Sequence, residues 1–181
     1  MKLPLTTSQL NPSYWIPDYR VKSFSDLPPE ELSSRGIEAV VFDVDQTLCA
    51  HHASSLHPSI KEALEAYVGV FSASRIGIMS NIESNQRRKE LERMFPDFYI
   101  TRSKHKKPGP EPYREIEAAF GLPPSKLAMF GDLIMTDIVG ANNAGWYSVK
   151  VEPLAPETDP FGHKLQRIVE RLAYSFCNRK Q

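Results

Sequence analysis

Cysteine is scarce in this 181-residue sequence. Cys49 and Cys177 are its only two, too few for a disulfide framework, and a reducing compartment is the simpler reading. Long apolar runs are missing as well. No stretch approaches the ~20 apolar residues that cross a bilayer, and behind Lys2 there is no apolar run of the kind that forms a signal-peptide core. Net charge is also absent, since 22 Lys and Arg balance 22 Asp and Glu; that argues against a nucleic-acid partner held by overall charge. No internal repeat or low-complexity tract interrupts the chain. These absences leave a protein of the cytoplasm or an organellar interior, soluble or peripheral at a membrane, with its oligomeric state unread.

What is present describes a folded domain. The hydrophobic share of 41% and charged share of 24% exclude wholesale disorder, and the length suits one sizeable core. Residues 1–36 are rich in Pro, Ser and turn-formers, and read as a lead-in segment packed on the core, with a short helix at 29–34 stopped by Gly36. From Ile37 strands and helices alternate. "IEAVVFD", "RIGIMSN", "DFYIT", "KLAMFGD" and "WYSVKV" read as five strands. Helices lie between them: Ile60, Leu64, Tyr67 and Phe71 recur at helical spacing, Glu83 or Ser84 caps a second helix, and Pro110 or Glu111 opens a third. A last amphipathic helix spans 160–178, with Leu165, Ile168, Val169, Leu172 and Phe176 on one face, expected to dock on the domain. The expected fold is α/β, a Rossmann-like three-layer sandwich around a mainly parallel five-stranded sheet. In such sheets ligands bind beyond the carboxyl ends of the strands, where Asp43, Ser80 and Asp132 fall.

The stretch "VVFDVDQTLC" poses a chemical problem, because Asp43 and Asp45 stand one residue apart where a buried strand ends. A cation resolves the repulsion. A hard divalent ion with oxygen ligands, Mg²⁺ for preference, needs few carboxylates and keeps several waters. Asp132 supplies a further carboxylate, and Asp137 lies five residues on. A screened Asp43 can attack a phosphoryl group as a nucleophile, giving an aspartyl-phosphate. Asp45 can serve as general acid and then as base for water. Lys107 would neutralise phosphoryl oxygens and Ser80 would hydrogen-bond to one of them. Thr47 and Asn81 join Lys107 as residues expected to touch substrate.

Asp43-x-Asp45-x-Thr47, Ser80, Lys107-Pro108 and Gly131-Asp132-x-x-x-Thr136-Asp137 occur in that order. As a set they resemble the four motifs of haloacid dehalogenase-like (HAD) phosphatases, with 37–181 as the phosphatase domain. The resemblance implies Asp43 as nucleophile, Asp45 as acid and base, and Mg²⁺ held by Asp43, Asp132 and the Asp45 carbonyl, with Asp137 in support. Lid domains of that family are inserted after the first motif or between the second and third. Here about ten residues separate Thr47 from the helix near Pro58, and residues 81–106 are used up by one helix and one strand. No cap domain fits, and an open site suits a large substrate.

Three features point to a phospholipid headgroup. Between Arg75 and Lys107 stand nine Lys or Arg against four Asp or Glu, a local excess that attracts anionic membranes. Tyr14, Trp15 and Tyr19 suit the headgroup layer. The segments "LNPSYWIPDYRVKSFSDLPPEEL" and "GDLIMTDIVGANNAGWYSVKV" are similar to the phosphatidylglycerophosphate phosphatase branch, which implies removal of the terminal phosphate to give phosphatidylglycerol. Gln46 departs from that pattern at a position that often carries Asn. Alternatives are a soluble phosphorylated metabolite or phosphoprotein as substrate, and a non-catalytic membrane or protein-binding scaffold. Competing bland readings also stand: His51 and His52 as solvated loop residues, the basic run Arg87 to Arg93 as a solvated helix face, Tyr14 and Trp15 packed on the domain, and Cys49 as packing.

Overall fold

Two short apolar strands at the centre of the sheet set the architecture. In β2 (Ala39–Phe42) and β5 (Leu127–Gly131) every residue is buried, and alternate side chains enter opposite cores. Val40, Phe42, Ala128 and Phe130 face one cluster with Phe24, Leu64, Tyr67 and Leu91. Ala39, Val41, Leu127 and Met129 face the other with Tyr113, Ile116 and Trp146. A strand buried on both faces requires a layer of helices on each side, and the helices supply them. The computed structural model describes the backbone of residues 12–82 and 84–178 and the side chains of 13–82 and 84–172. Residues 1–11, the candidate cap Glu83, and the side chains of Phe176 and Cys177 lie outside these bounds.

The sheet has six strands rather than five, all parallel, in the order β1-β6-β5-β2-β3-β4. Besides β2 and β5 they are β1 (Tyr19–Val21), β3 (Ile76–Ile78), β4 (Tyr99–Ile100) and β6 (Tyr147–Val151). The additional strand is β1, drawn from the lead-in. It is three residues long and pairs at the edge with Val149 to Val151, so it carries too little periodicity to be read locally. Asp18 anchors it: its carboxylate accepts hydrogen bonds from the Ser148 backbone N–H (2.8 Å) and hydroxyl (3.0 Å).

Helices α1 (Pro29–Ser34), α2 (Pro58–Phe71) and α3 (Asn85–Met94) cover one face, and α4 (Glu111–Phe120) and α5 (Val139–Ala144) the other. Ser84 caps α3, its side chain accepting from the Arg87 N–H, which satisfies one orphan donor of the first turn. Tyr14 and Trp15 pack on Ile134, Ile138 and Val139, and Tyr19 packs on the main core, so the aromatic part of the lipid argument falls away.

The last helix, α6 (Phe161–Asn178), reverses its expected orientation. Phe161, Leu165, Ile168, Val169 and Leu172 are exposed by 48–82%, whereas Glu170 is 3% exposed. Polar groups draw that side inward. Glu170 accepts from the backbone N–H groups of Ile134 (3.0 Å) and Met135 (2.9 Å), and Arg167 reaches two carboxylates. Among the described residues no helix is long and apolar enough to cross a membrane.

Candidate active site

The chain leaves β2 towards β3 and β4 on one side, then returns to β5 and β6 on the other. The adjacent ends of β2 and β5 therefore form the topological switch point, where open α/β sheets bind ligands. Asp43 follows β2 and Asp132 follows β5. A π-helical turn at Ile134–Ile138 brings Asp137 back towards them, a distortion often found at functional sites. Gly131 makes that return possible, since a Cβ there would overlap the Cβ of Asp137. Carboxylate oxygens of Asp43, Asp132 and Asp137 lie within 4.8 Å of one another, and all three residues are buried.

Lys107 enters between two of them. Its ammonium is 2.6 Å from Asp43 Oδ1 and 2.7 Å from Asp137 Oδ1; the second contact is out of line for a hydrogen bond, leaving that oxygen ion-paired only. Asn81 fixes the segment: its Oδ1 accepts from the Lys107 N–H at 2.8 Å and its Nδ2 donates to the Lys107 carbonyl at 3.4 Å. Asn81 was expected at substrate; here its amide is occupied with the Lys107 backbone. Ser80 lies half-buried just beyond β3. Thr47 is buried with a hydroxyl that has no hydrogen-bond partner.

Burial pushes the Asp43 carboxyl well above the usual range, against the pull of Lys107 and with Asp137 and Asp132 adding to it. Asp132 is pushed up to about 7 by burial and by Asp137, opposed by Arg167. Burial alone would lower the Lys107 ammonium, but Asp137 and Asp43 outweigh it and hold it above its ordinary value. Three buried acids facing one ammonium and one guanidinium are short of positive charge. Asp132 Oδ1 is buried without a hydrogen-bond partner, and an all-oxygen donor set of this kind fits a hard divalent cation.

Asp45 is not one of the three clustered carboxylates. Its Oδ1 accepts from Arg87 Nη2 (2.9 Å) and from the His52 N–H (2.8 Å). The resemblance gave it a part in holding metal through its carbonyl, and the side chain is bound to Arg87 and His52. The basic α3 thus contributes an inward arginine: Arg87 is 7% exposed and also donates to the Ala53 carbonyl.

Arg87, Arg167 and Gln46 are the residues whose part at the site was not legible in the sequence. Arg167 donates through Nη2 to Asp132 and through Nε to Asp159 at 2.6 Å. Gln46, in left-handed backbone at φ 66°, donates through its amide to Ala155 O (2.8 Å) and Asp159 Oδ1 (2.8 Å), and accepts from the Ala155 N–H (2.8 Å). The length of Gln lets it reach residues 155–159 from the first motif. No local signal marked the pairings of Arg87 with Asp45, Arg167 with Asp132 and Gln46 with Asp159, because they join residues 35 to 113 positions apart. His51 packs at a tilt against His52 and edge-on to His163, with ring centroids 4.1 and 5.5 Å away. Cys49 is buried and its thiol is pushed up to about 11, as suits packing.

The family described as mitochondrial PGP phosphatase matches residues 3–154. The chain belongs to that family. It is 31% identical over 170 residues to the chloroplastic and mitochondrial phosphatidylglycerophosphate phosphatase 1 of Arabidopsis thaliana, covering 91% of this chain and 47% of the relative. It is 30% identical over 149 residues to the mitochondrial phosphatidylglycerophosphatase of Saccharomyces cerevisiae, covering 77% and 78%. The chain thus spans about half the length of the Arabidopsis relative. A haloacid dehalogenase-like hydrolase from Xanthomonas campestris superposes with a TM-score of 0.51 at 12% identity, covering 81% of this chain and 95% of that one. This likeness bears on the fold, which is that of the HAD-like hydrolases.

Proposed function

We propose that this member of the PGP phosphatase family hydrolyses a phosphomonoester through an aspartyl-phosphate on Asp43, and that its substrate is phosphatidylglycerophosphate. The observation that carries the reading is the switch-point cluster, in which Asp43 and Asp137 share the ammonium of Lys107 and Asp132, paired with Arg167, closes a ring of three buried carboxylates.

Asp43, Asp132 and Asp137 are the side chains that would hold Mg²⁺, with the Asp45 carbonyl beside them. Bound there, the ion supplies charge neutralisation between the carboxylates and the phosphoryl oxygens. Asp43 Oδ attacks phosphorus as the ester oxygen departs, and Asp45 gives that oxygen a proton. Asp45 then takes a proton from the water that cleaves the Asp43–phosphoryl bond. Arg87 and the His52 N–H hold the Asp45 carboxylate in place through Oδ1. Lys107, pinned by Asn81, turns from Asp137 to the transferring oxygens, and Ser80 donates to one of them.

The lipid assignment draws support from α6. Its exposed side chains are Phe161, Leu165, Ile168, Val169 and Leu172 together with the cations Lys164 and Arg171, while its one described acid, Glu170, is buried. An apolar stripe flanked by cations complements a bilayer containing anionic lipid. Because Arg167 of the same helix touches Asp132, a bilayer on the outer face lies next to the carboxylate cluster.

The test is phosphate release with Mg²⁺ from phosphatidylglycerophosphate in mixed micelles, beside soluble phosphomonoesters. Preference for the lipid, abolished by EDTA and by Asp43→Asn, is the expected result. Equal or better turnover of a soluble ester removes the lipid and keeps the phosphatase. Activity retained by Asp43→Asn removes the mechanism, and a wild-type chain inert on every ester favours a scaffold.

A further inference from the structure

Lys150 has no part in the reaction described above, yet it is 6% exposed. Its ammonium donates to the Val151 carbonyl at 2.5 Å, and among the described residues no carboxylate lies within the 4 Å of an ion pair. A buried cation with a single neutral acceptor is costly, and such groups are ordinarily paired. Burial accordingly lowers its affinity for the proton, despite the more distant Glu152 and Asp132.

The ammonium borders a pocket of about 330 Å³ whose wall also includes Arg20, Arg167, Arg171 and Asp132. Of the three acids on that wall, Glu170 is committed to the Ile134 and Met135 N–H groups and Asp132 to Arg167, while Glu152 is exposed to solvent, so four cations face three acids, two of them already engaged. Register explains the location. Lys150 pairs with Gly131 of β5, the residue before Asp132, and Arg20 of β1 pairs with Lys150. Parallel neighbours lie about 4.8 Å apart, so the two cations stand roughly one and two strand spacings from the carboxylate strand. The pocket shares Asp132 with the catalytic cluster, and α6 contributes Arg167, Glu170 and Arg171 to its wall.

We infer that the Lys150 pocket binds a second anionic group of the substrate, a phosphodiester lying a few bonds from the phosphate that is removed. This deepens the reading of the preceding subsection and rests on it. A substrate that carries both groups pairs the buried ammonium, whereas a plain monoester leaves it unpaired. The pocket therefore separates a diester-bearing headgroup from simple phosphomonoesters without touching the reacting atoms.

The experiment uses the full chain with Mg²⁺ and two soluble substrates, so that membrane binding plays no part: deacylated phosphatidylglycerophosphate, which carries the diester, and glycerol 3-phosphate, which does not. The expected result is a kcat/KM ratio of at least tenfold in favour of the diester-bearing ester. That ratio falls towards one in Lys150→Gln and persists in Lys150→Arg, melting curves having established that both fold. A ratio unchanged in a folded Lys150→Gln overturns the inference. Added glycerophosphoglycerol, a diester without the monoester, is expected to compete with the diester-bearing substrate. If instead it, or inorganic phosphate, activates turnover of glycerol 3-phosphate, the pocket takes a separate anion and the assignment to the substrate is wrong. Should the wild-type chain hydrolyse neither soluble ester, the micelle assay with phosphatidylglycerophosphate decides the phosphatase reading, and calorimetric titration with glycerophosphoglycerol decides the pocket by itself. Binding that is lost in Lys150→Gln supports it, and no binding refutes it.

Discussion

Replacing Lys107 by Met tests the central electrostatic claim. The Lys107 side chain is 3% exposed, with Asp43 and Asp137 at 12% and 1%, so its two ion pairs are shielded from solvent. Removing one partner of a buried pair costs about 3–5 kcal/mol, because the remaining charge is stranded. Here two carboxylates are stranded side by side. For a chain of this length 1 kcal/mol corresponds to about 2–4 °C in Tm, which gives a loss of roughly 6–20 °C without divalent ions. Asp137→Asn in the Lys107→Met background removes one of the two like charges and should recover most of that loss. Calorimetry of the three proteins in EDTA reads both effects.

The same variants distinguish a cation site from a plain buried salt bridge. A ligand at one hundred times its Kd adds about 2.7 kcal/mol to the folded state. The Lys107→Met protein, relieved of the competing ammonium, should gain more Tm from saturating Mg²⁺ than the wild type gains. A loss below about 2 °C in EDTA would refute the burial argument. Equal Mg²⁺ gains in the two proteins would refute the claim that Lys107 and the ion share the same carboxylates.

Three further outcomes are expected. Leu165→Glu with Ile168→Glu should leave melting nearly unchanged and reduce flotation with anionic vesicles at least tenfold, since each apolar side chain contributes about 1.5–3 kcal/mol when buried; unchanged flotation sinks the α6 surface. Cys49, its thiol pushed up to about 11 by burial and then by Asp45, should alkylate with iodoacetamide at pH 8 roughly a hundredfold slower in the folded chain than in urea. Peptide mass spectrometry reads this, and comparable rates contradict the packing role. Burial pushes the Asp159 carboxyl up, but hydrogen bonds from Arg167 and Gln46 dominate and hold it below its ordinary value. A depressed carboxyl stabilises above its unfolded value of about 3.9 and loses that contribution as pH falls through the folded value. The Tm gap between wild type and Asp159→Asn should therefore be full at pH 6 and narrow in acid, and a gap constant down to pH 3 refutes the pairing.

Legibility in the sequence followed the range of the interactions. The strands β2, β3, β5 and β6 announced themselves as apolar runs because both faces of each are covered, and helix starts such as Ser84 carried their own chemistry. Asp43, Lys107, Asp132 and Asp137 fell at strand ends or beside helix starts, and the parallel topology alone brings such positions to one edge. Edge strand β1 was missed because three residues at a sheet margin show no period. Arg87, Arg167 and Gln46 were missed because each reaches across the fold to a partner far along the chain, Asp45, Asp132 and Asp159 respectively. Asn81 was placed near the site, but its bonds to the Lys107 backbone depend on how two loops meet.

The orientation of α6 was open for a different reason, since an amphipathic pattern states that a helix has two faces and not which one docks. The energies explain the outcome. Five apolar side chains, about half exposed or more, forgo roughly 4–8 kcal/mol by facing outward, taking half of the full burial value for each. The inward polar side makes four charge-assisted contacts, two from backbone N–H groups to Glu170 and two from Arg167 to Asp132 and Asp159. At about 1.5–3 kcal/mol each they contribute roughly 6–12 kcal/mol. The polar face therefore wins narrowly in the isolated chain. On the proposed bilayer there would be no competition, because the inward contacts would stay and the apolar stripe would be buried as well. A helix so arranged would meet the proposed bilayer without letting go of the site, holding Arg167 against Asp132 in either state.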